Sequence, residues 1–296
     1  MTVLGALRQR GLLTGRADPA VTPLTGGLWN DTFRVRGAGF DWVVKHYHAG
    51  GGASLFPILP DAEAESLRAL SGLEIAPEPV DFFRTGRDAP VLVYAYWPGT
   101  PWREDVVPVA DLLRRLHAIP TEDLRGFRDL PSDPGAILAQ GDDLLREAGD
   151  DDLTARLRSL RPMPADGPIL ERRSLVHTDV GAGNLIAGPE GIRLIDWQCP
   201  GVGDPAEDVW AFLSPGFQVL FDHAPLNQPE CEAFVKAYDR EGTPARLRYL
   251  SPYFAYRLTA YCCLRSHDLA GRDSALGDRY RKAATVQIAE MEGARA

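Results

Sequence analysis

The sequence predicts an α+β chain in two parts, with a small antiparallel-sheet lobe over residues 1–97 and a larger, mainly helical lobe over residues 98–296. Three observations carry that division. The first third alternates short β-prone runs with glycine turns, a Pro/Gly break follows at Trp97-Pro98-Gly99-Thr100-Pro101, and helical periodicity then dominates except for one acid-rich interruption.

The opening stretch, MTVLGALRQRGLLTGRADP, reads as a short helix. Its arginines are scattered and no uninterrupted apolar core precedes a small-residue cleavage site, so a secretory signal is not expected. A turn at Leu24-Thr25-Gly26-Gly27, a strand through Thr32 to Val35, a turn at Gly37-Ala38-Gly39 and a strand from Phe40 to Tyr47 form a hairpin signature. Gly50-Gly51-Gly52 with Pro57 and Pro60 make a crossover to a helix over Asp61 to Ser71, and a further strand runs from Pro90 to Trp97. Two prolines and a glycine then stop both helix and strand, which sets the boundary there.

Beyond the break, helices are expected over Val106 to Ala118, with Leu112, Leu113 and Leu116 on one face, over Ala136 to Ala148 and over Leu153 to Leu160. The segment Ser174 to Trp197 interrupts them as two short strands around a loop. Helices resume at Ala206 and continue through Glu230 to Tyr238, Ala245 to Leu269 and Asp278 to Met291.

Composition narrows the function. Apolar residues make up 45% and charged residues 25% of the chain, ordinary values for a soluble globular protein, and no apolar run is long enough to span a bilayer. A formal net charge of -9 argues against a nucleic-acid partner, which demands a basic stripe; it either suits a cationic small molecule or simply solvates the surface. Cys199, Cys231, Cys262 and Cys263 show neither metal-ligand spacing nor disulfide density, so buried thiols in a reducing, cytoplasmic setting are expected.

The acid-rich interruption carries the chemistry. Asp179 follows His177 in a polar loop, Asn184 comes five residues later, the apolar run Ile192 to Ile195 delivers Asp196, and Asp204 and Asp208 follow. Phosphoryl transfer needs a cation to neutralise a triphosphate and a group to hold the attacking hydroxyl. Asp179 offers a carboxylate base, while Asn184 and Asp196 offer the hard oxygen atoms that Mg2+ prefers. Any one aspartate in a loop is more often a turn former; the spacing of the set is what is specific.

His177-Thr178-Asp179, Asn184 and Leu194-Ile195-Asp196-Trp197 together resemble the catalytic loop and metal segment of the aminoglycoside phosphotransferase and choline/ethanolamine kinase family. The resemblance implies a protein-kinase-like two-lobed fold with chemistry at the junction of the lobes, and an ATP- and Mg2+-dependent transfer of the γ-phosphoryl group to a small-molecule hydroxyl. Gly26-Gly27-Leu28-Trp29-Asn30-Asp31-Thr32 is similar to that family's nucleotide loop, which implies nucleotide contacts for Gly26, Gly27 and Asn30. Lys45 corresponds to the phosphate-contacting lysine, with Glu63 as its partner and Glu65 as the competing choice. Asp208 is implied as a brace for the backbone around His177, and Asp204 as a helix cap ahead of Pro205.

Two features depart from the family: threonine stands between His177 and Asp179 where glycine or arginine is more usual, and Val180-Gly181-Ala182-Gly183 is unusually small. The alternatives are a nucleotide-binding pseudokinase and an atypical protein kinase. The first is opposed by the intact Asp179, Asn184, Asp196 and Lys45; the second by the lack of His-Arg-Asp, Asp-Phe-Gly and Ala-Pro-Glu elements. The acceptor is expected to be a cationic, amine-bearing alcohol of the choline, ethanolamine or aminoglycoside type. Trp210, Phe212, Phe217, Tyr253, Phe254, Tyr256 and Tyr261 could wall its pocket by cation–π contact, or pack the core.

Overall fold

Alternation along the strand Phe40–Tyr47 sends Val43, Lys45 and Tyr47 to one face of a sheet and Trp42, Val44 and His46 to the other, and both faces are covered. The computed structural model describes residues 2–14, 18–24, 30–48, 55–86, 89–240 and 242–295. It begins with helix α1 (Val3–Gln9), capped by the Thr2 hydroxyl, followed by β1 (Ala20–Pro23), β2 (Asn30–Gly37), β3 (Phe40–Tyr47), α2 (Pro60–Ala69), β4 (Pro79–Arg84), β5 (Pro90–Ala95) and the short β6 (Thr100–Pro101). Five of these strands form an antiparallel sheet in the order β1-β2-β3-β5-β4. Leu7 of α1 packs on one face of it with Val35, Val44, Val91 and Val93. Helix α2 turns Glu63 inward, together with Ala62, Ala64, Ser66 and Leu67.

The chain continues through α3 (Val106–His117), β7 (Arg128–Asp129), α4 (Pro134–Glu147), α5 (Asp152–Ser159), β8 (Ser174–Val176), a single 3-10 turn at Ala182–Asn184, β9 (Leu185–Gly188), β10 (Gly191–Leu194) and β11 (Gly201–Gly203). Helices α6 (Ala206–Leu213), α7 (Pro215–Leu220), α8 (Gln228–Tyr238), α9 (Thr243–Leu269) and α10 (Ser274–Gly293) complete it. β11 pairs parallel to β7 and antiparallel to β8, so the strand that leads into the His177–Asp179 loop is clamped by a partner from beyond that loop. The interruption therefore holds three strands, β8, β9 and β10, where the sequence suggests two. β4 and α7 were also not expected; β4 carries Pro79 at its edge and a register irregularity between Pro79 and Asp81, both of which blur strand alternation.

Two compact units result: Met1–Thr100 with Ile186–Pro200, and Pro101–Leu185 with Gly201–Ala296. The return of 186–200 to the first unit has a local cause. Leu194 N–H donates to the Ile75 carbonyl at 2.8 Å, and Leu59 N–H donates to the Gln198 carbonyl at 2.8 Å, so this segment is hydrogen-bonded to both flanks of α2. In the second unit α9 is the central helix, packed against α4, α6 and α10 and buried on nearly every side from Tyr253 to Arg265. Cys199, Cys262 and Cys263 are buried and Cys231 is partly so, all as free thiols. Among the described residues no helix is long and apolar enough to cross a membrane.

Candidate active site

In the second unit, β8 ends at Val176 and the backbone turns sharply through His177 and Thr178 into Asp179. Thr178 takes φ 72°, a left-handed conformation that a β-branched residue adopts at a cost of about 1–3 kcal/mol. Glycine would carry that conformation without strain, which gives the threonine departure a physical meaning. Asp208 of α6 holds the turn: its Oδ2 accepts from His177 N–H at 2.8 Å and its Oδ1 from Thr178 N–H at 2.7 Å. These are the contacts that its motif position implies.

The loop after Asp179 closes tightly. Gly181 N–H donates to the Asp179 carbonyl at 3.0 Å, and Asn184 N–H donates to the Gly181 carbonyl at 3.0 Å. The Asn184 amide nitrogen donates to the Asp179 carbonyl at 2.9 Å and to Asp179 Oδ2 at 3.1 Å, leaving its amide oxygen as the atom able to face a cation. Phe221 explains the small loop. A β-carbon at Gly181 would overlap the Phe221 ring, and one at Gly183 would come within 2.7 Å of it.

In the first unit, Lys45 is 4% exposed and Glu63 is 1% exposed. Lys45 Nζ donates to Glu63 Oε1 at 3.0 Å, to Glu63 Oε2 at 2.9 Å and to Asp196 Oδ1 at 2.5 Å. Glu65, the competing acid, pairs instead with Arg68 on the exposed side of α2. Burial alone would lower the Lys45 ammonium, but the charges of Asp196 and Glu63 outweigh it and hold Lys45 protonated above its ordinary value. Asp196 itself sits at φ 63°, a second strained non-glycine position at a motif residue.

Asn30 opens β2 opposite Tyr47 and is buried; its Nδ2 donates to Gln198 Oε1 at 3.3 Å, while its Oδ1 has no hydrogen-bond partner among the described residues. Gly26 and Gly27 lie outside the described residues. Taken separately, the Asn184 amide oxygen and the Asp196 carboxylate are each hard donors, of the kind that suits Mg2+ better than a softer cation.

Other participants are not named by the motifs. Tyr47 donates from its hydroxyl to Glu63 Oε2 at 2.6 Å; burial, then Glu63, push that phenol well above its ordinary value, so it stays a donor. His117 is fully buried, with Nε2 3.0 Å from Asp208 Oδ2 and Nδ1 2.7 Å from the Tyr238 hydroxyl. Period-two alternation places Tyr47 beside Lys45 and could have flagged it; nothing local marks His117, 91 positions from Asp208. Asp204 caps α6 through the Ala206 N–H at 2.9 Å and also pairs with buried Arg246 at 2.7 Å.

The seven aromatic residues considered for an acceptor wall are all buried in the second unit, which assigns them to its core. Tyr261 lies in α9. It hydrogen-bonds to Tyr280, and after burial and that neighbour, the Asp179 charge is among the influences raising its phenol.

The fold and these two clusters define a class. The chain belongs to the phosphotransferase enzyme family, whose model matches residues 20–250. Over 199 residues it is 33% identical to the thiamine kinase of Escherichia coli O1:K1 / APEC, covering 64% of this chain and 65% of that relative, just under two thirds of its length. The thiamine kinase of Shigella boydii serotype 4 (strain Sb227) is 32% identical over 200 residues, with the same coverage. Spectinomycin phosphotransferase APH(9)-Ia, solved in complex with ADP and spectinomycin, superposes with a TM-score of 0.69 at 14% identity over 99% of both chains. A choline/ethanolamine kinase family protein from Mesorhizobium loti gives a TM-score of 0.63 at 19% identity, covering 99% of this chain and 94% of its own. At such identities the likeness shows the fold, the protein-kinase-like α+β arrangement implied by the motifs.

Proposed function

We propose that this chain is an ATP- and Mg2+-dependent phosphotransferase that moves the γ-phosphoryl group of ATP to the hydroxyl of a small cationic alcohol. The observation that carries this reading is the Asp179 loop. A carboxylate is fixed at Asp179 by Asn184, on a strained turn anchored by two buried hydrogen bonds to Asp208.

Asp179 is the proposed general base, accepting the acceptor's hydroxyl proton as the oxygen attacks the γ-phosphorus. Lys45, held extended by Glu63, is the proposed α- and β-phosphate contact, and Gly26, Gly27 and Asn30 the remaining nucleotide contacts. Asn184 and Asp196 are each proposed as oxygen ligands for Mg2+, which when bound supplies charge neutralisation of the triphosphate. Residues 1–97 are assigned to nucleotide binding and 98–296 to catalysis and acceptor binding, with 186–200 grouped with the former by its contacts. A cytoplasmic setting, where ATP is plentiful and thiols stay reduced, is part of the proposal.

The acceptor class follows from charge and kinship. The chain is acidic, at -9, and the relatives at 32% and 33% sequence identity are thiamine kinases. Thiamine has a primary hydroxyl and a permanent positive charge, as choline does, while ethanolamine and the aminoglycosides carry protonated amines. Measurement of ADP release over thiamine, choline, ethanolamine, aminoglycosides, neutral sugars and peptides tests the reading. Release with one cationic alcohol and none with neutral sugars or peptides is expected; silence with every acceptor sinks it.

A further inference from the structure

Outside the clusters described above, the outer face of the sheet carries one more convergence of chemically active side chains. Antiparallel pairing sets Asp31 of β2 directly opposite His46 of β3, and His48, two residues on, projects from the same face. The register of two paired strands thus aims all three at one point.

Their donor atoms, one carboxylate oxygen and two imidazole nitrogens, lie within 4.8 Å of one another. Among the described residues no other group of three histidine, cysteine or acidic side chains meets that condition. Asp31 Oδ2 is 3.1 Å from His48 Nε2, and the rings of His46 and His48 stand nearly perpendicular at 78°, with centroids 5.9 Å apart. A cleft of about 230 Å3 opens beside them, floored by Phe33, Val44 and Val91 and walled by Val3 and Ala6 of α1.

We propose that Asp31, His46 and His48 form a binding site for a zinc-class divalent cation, separate from the Mg2+-nucleotide site and on the opposite face of the sheet from Lys45.

The chemistry of the donors selects the ion. Two neutral imidazoles and a carboxylate suit Zn2+ and its neighbours in the first transition row, whereas Mg2+ and Ca2+ favour all-oxygen shells. An exposed Asp31–His48 contact by itself is worth little, and protonating both imidazoles would set two like charges side by side. A single divalent ion binds both in their neutral form and satisfies the carboxylate at once. Tetrahedral zinc with bonds of about 2.0–2.1 Å needs donors about 3.4 Å apart. Asp31 and His48 are exposed and His46 is partly so, which leaves side-chain rotation free to make that contraction. Three protein ligands leave a position for water or an outside ligand at the mouth of the cleft. Bound there, the ion staples β2 to β3 in the register that carries Lys45.

The test uses the full chain, stripped with a chelator and titrated with Zn2+ by calorimetry and with Co2+ as a spectroscopic stand-in. One equivalent should bind, with visible d–d absorption that excess Mg2+ does not displace, and the melting temperature should rise with added Zn2+. His48→Ala and Asp31→Ala should each weaken binding by at least tenfold, the lower end of what losing even an outer-shell partner costs. Both should melt like the parent in the metal-free state, and His48→Gln serves in place of any variant that does not fold. No binding by the parent overturns the proposal, and so does binding of equal affinity in the variants, because the ion then sits elsewhere. The readouts do not depend on phosphoryl transfer, so failure of the proposed function leaves this test intact.

Discussion

Lys45 and Asp196, 151 positions apart in the chain, meet through a 2.5 Å contact between Nζ and Oδ1. The same ammonium group holds both oxygens of Glu63, so one buried cation serves two carboxylates while Tyr47 takes a further share of Glu63. Such an arrangement is stable only while the cation is present. Removing one member of a buried ion pair costs about 3–5 kcal/mol, because the uncompensated charge remains in a poorly polarisable interior.

Lys45→Met should therefore destabilise the protein by about 3–5 kcal/mol, and by less in acid. In the parent, Lys45 is held above its ordinary value, so its contribution is complete below the unfolded lysine pKa and is lost only as pH rises through the still higher native one. Neutral pH leaves it intact. In the variant Glu63 keeps the influences that raise it, burial first and then Asp196, and loses the opposing charge of Lys45. A raised carboxyl stabilises the fold below its unfolded pKa and loses that contribution as pH rises through the native value. Melting curves between pH 8 and pH 5 should show the gap between parent and variant narrowing on acidification; a constant gap would mean that Glu63 is not the group left behind.

Asp179→Asn should lower turnover by about 10²–10⁴-fold, the range for loss of a positioned base, with nucleotide affinity nearly unchanged. The substitution preserves shape and the contact from Asn184, so a large loss of ATP binding would instead assign Asp179 to the nucleotide site. Single-turnover kinetics with the best acceptor from the ADP-release screen separates the two.

For Asp196→Ala, calorimetry with ATP should show Mg2+-dependent nucleotide binding lost, while Lys45 keeps Glu63 as partner and the fold persists. Unaltered binding would remove Asp196 from the metal site.

Asp208→Ala strips hydrogen-bond partners from the His177 and Thr178 amides and from His117 together. Each buried hydrogen bond that loses its acceptor costs about 1–3 kcal/mol, so a loss of about 3 kcal/mol or more is expected in urea unfolding. Tyr238→Phe, which keeps the His117 contact to Asp208 but removes the hydroxyl that meets His117 Nδ1, Thr243 and Arg240, should cost about 1–2 kcal/mol. Equal losses would mean that the His117 network, rather than the two loop amides, carries the stability.

Much of this was readable from the chain because it is local. The strand Phe40 to Tyr47 and the start of α3 at Val106 coincide with their expected positions, since alternation and amphipathic spacing are properties of neighbouring residues. The aromatic run of α9 was ambiguous for the converse reason: a helix buried on nearly every side has no polar face, so a ligand wall and a core read alike until the fold buries Tyr253, Phe254 and Tyr256 at 4%, 0% and 1% exposure. Contacts made by folding alone, such as Lys45 with Asp196, His117 with Asp208 and Phe221 with the Asp179 loop, leave no periodic trace. Of the residues proposed to contact the nucleotide, Asn30 is described and its Oδ1 has no partner among the described residues, whereas Gly26 and Gly27 lie outside them.

The Phe221 contact gives the last expectation. A methyl group at position 181 would overlap that ring, and the neighbouring glycine at 183 leaves little room for the loop to move aside. Gly181→Ala should therefore displace the loop that ends in Asn184, costing about 1–3 kcal/mol of stability as overpacking and lowering turnover with it. Phe221→Ala removes the obstacle, so the double variant should recover turnover relative to Gly181→Ala, with a coupling of about 0.5–3 kcal/mol between the two sites. Independent effects in that cycle would show that Gly181 is needed for its backbone rather than for the space beneath Phe221. Its φ of -106° lies outside the left-handed region, so an alanine can take that backbone conformation and the predicted damage comes from the ring.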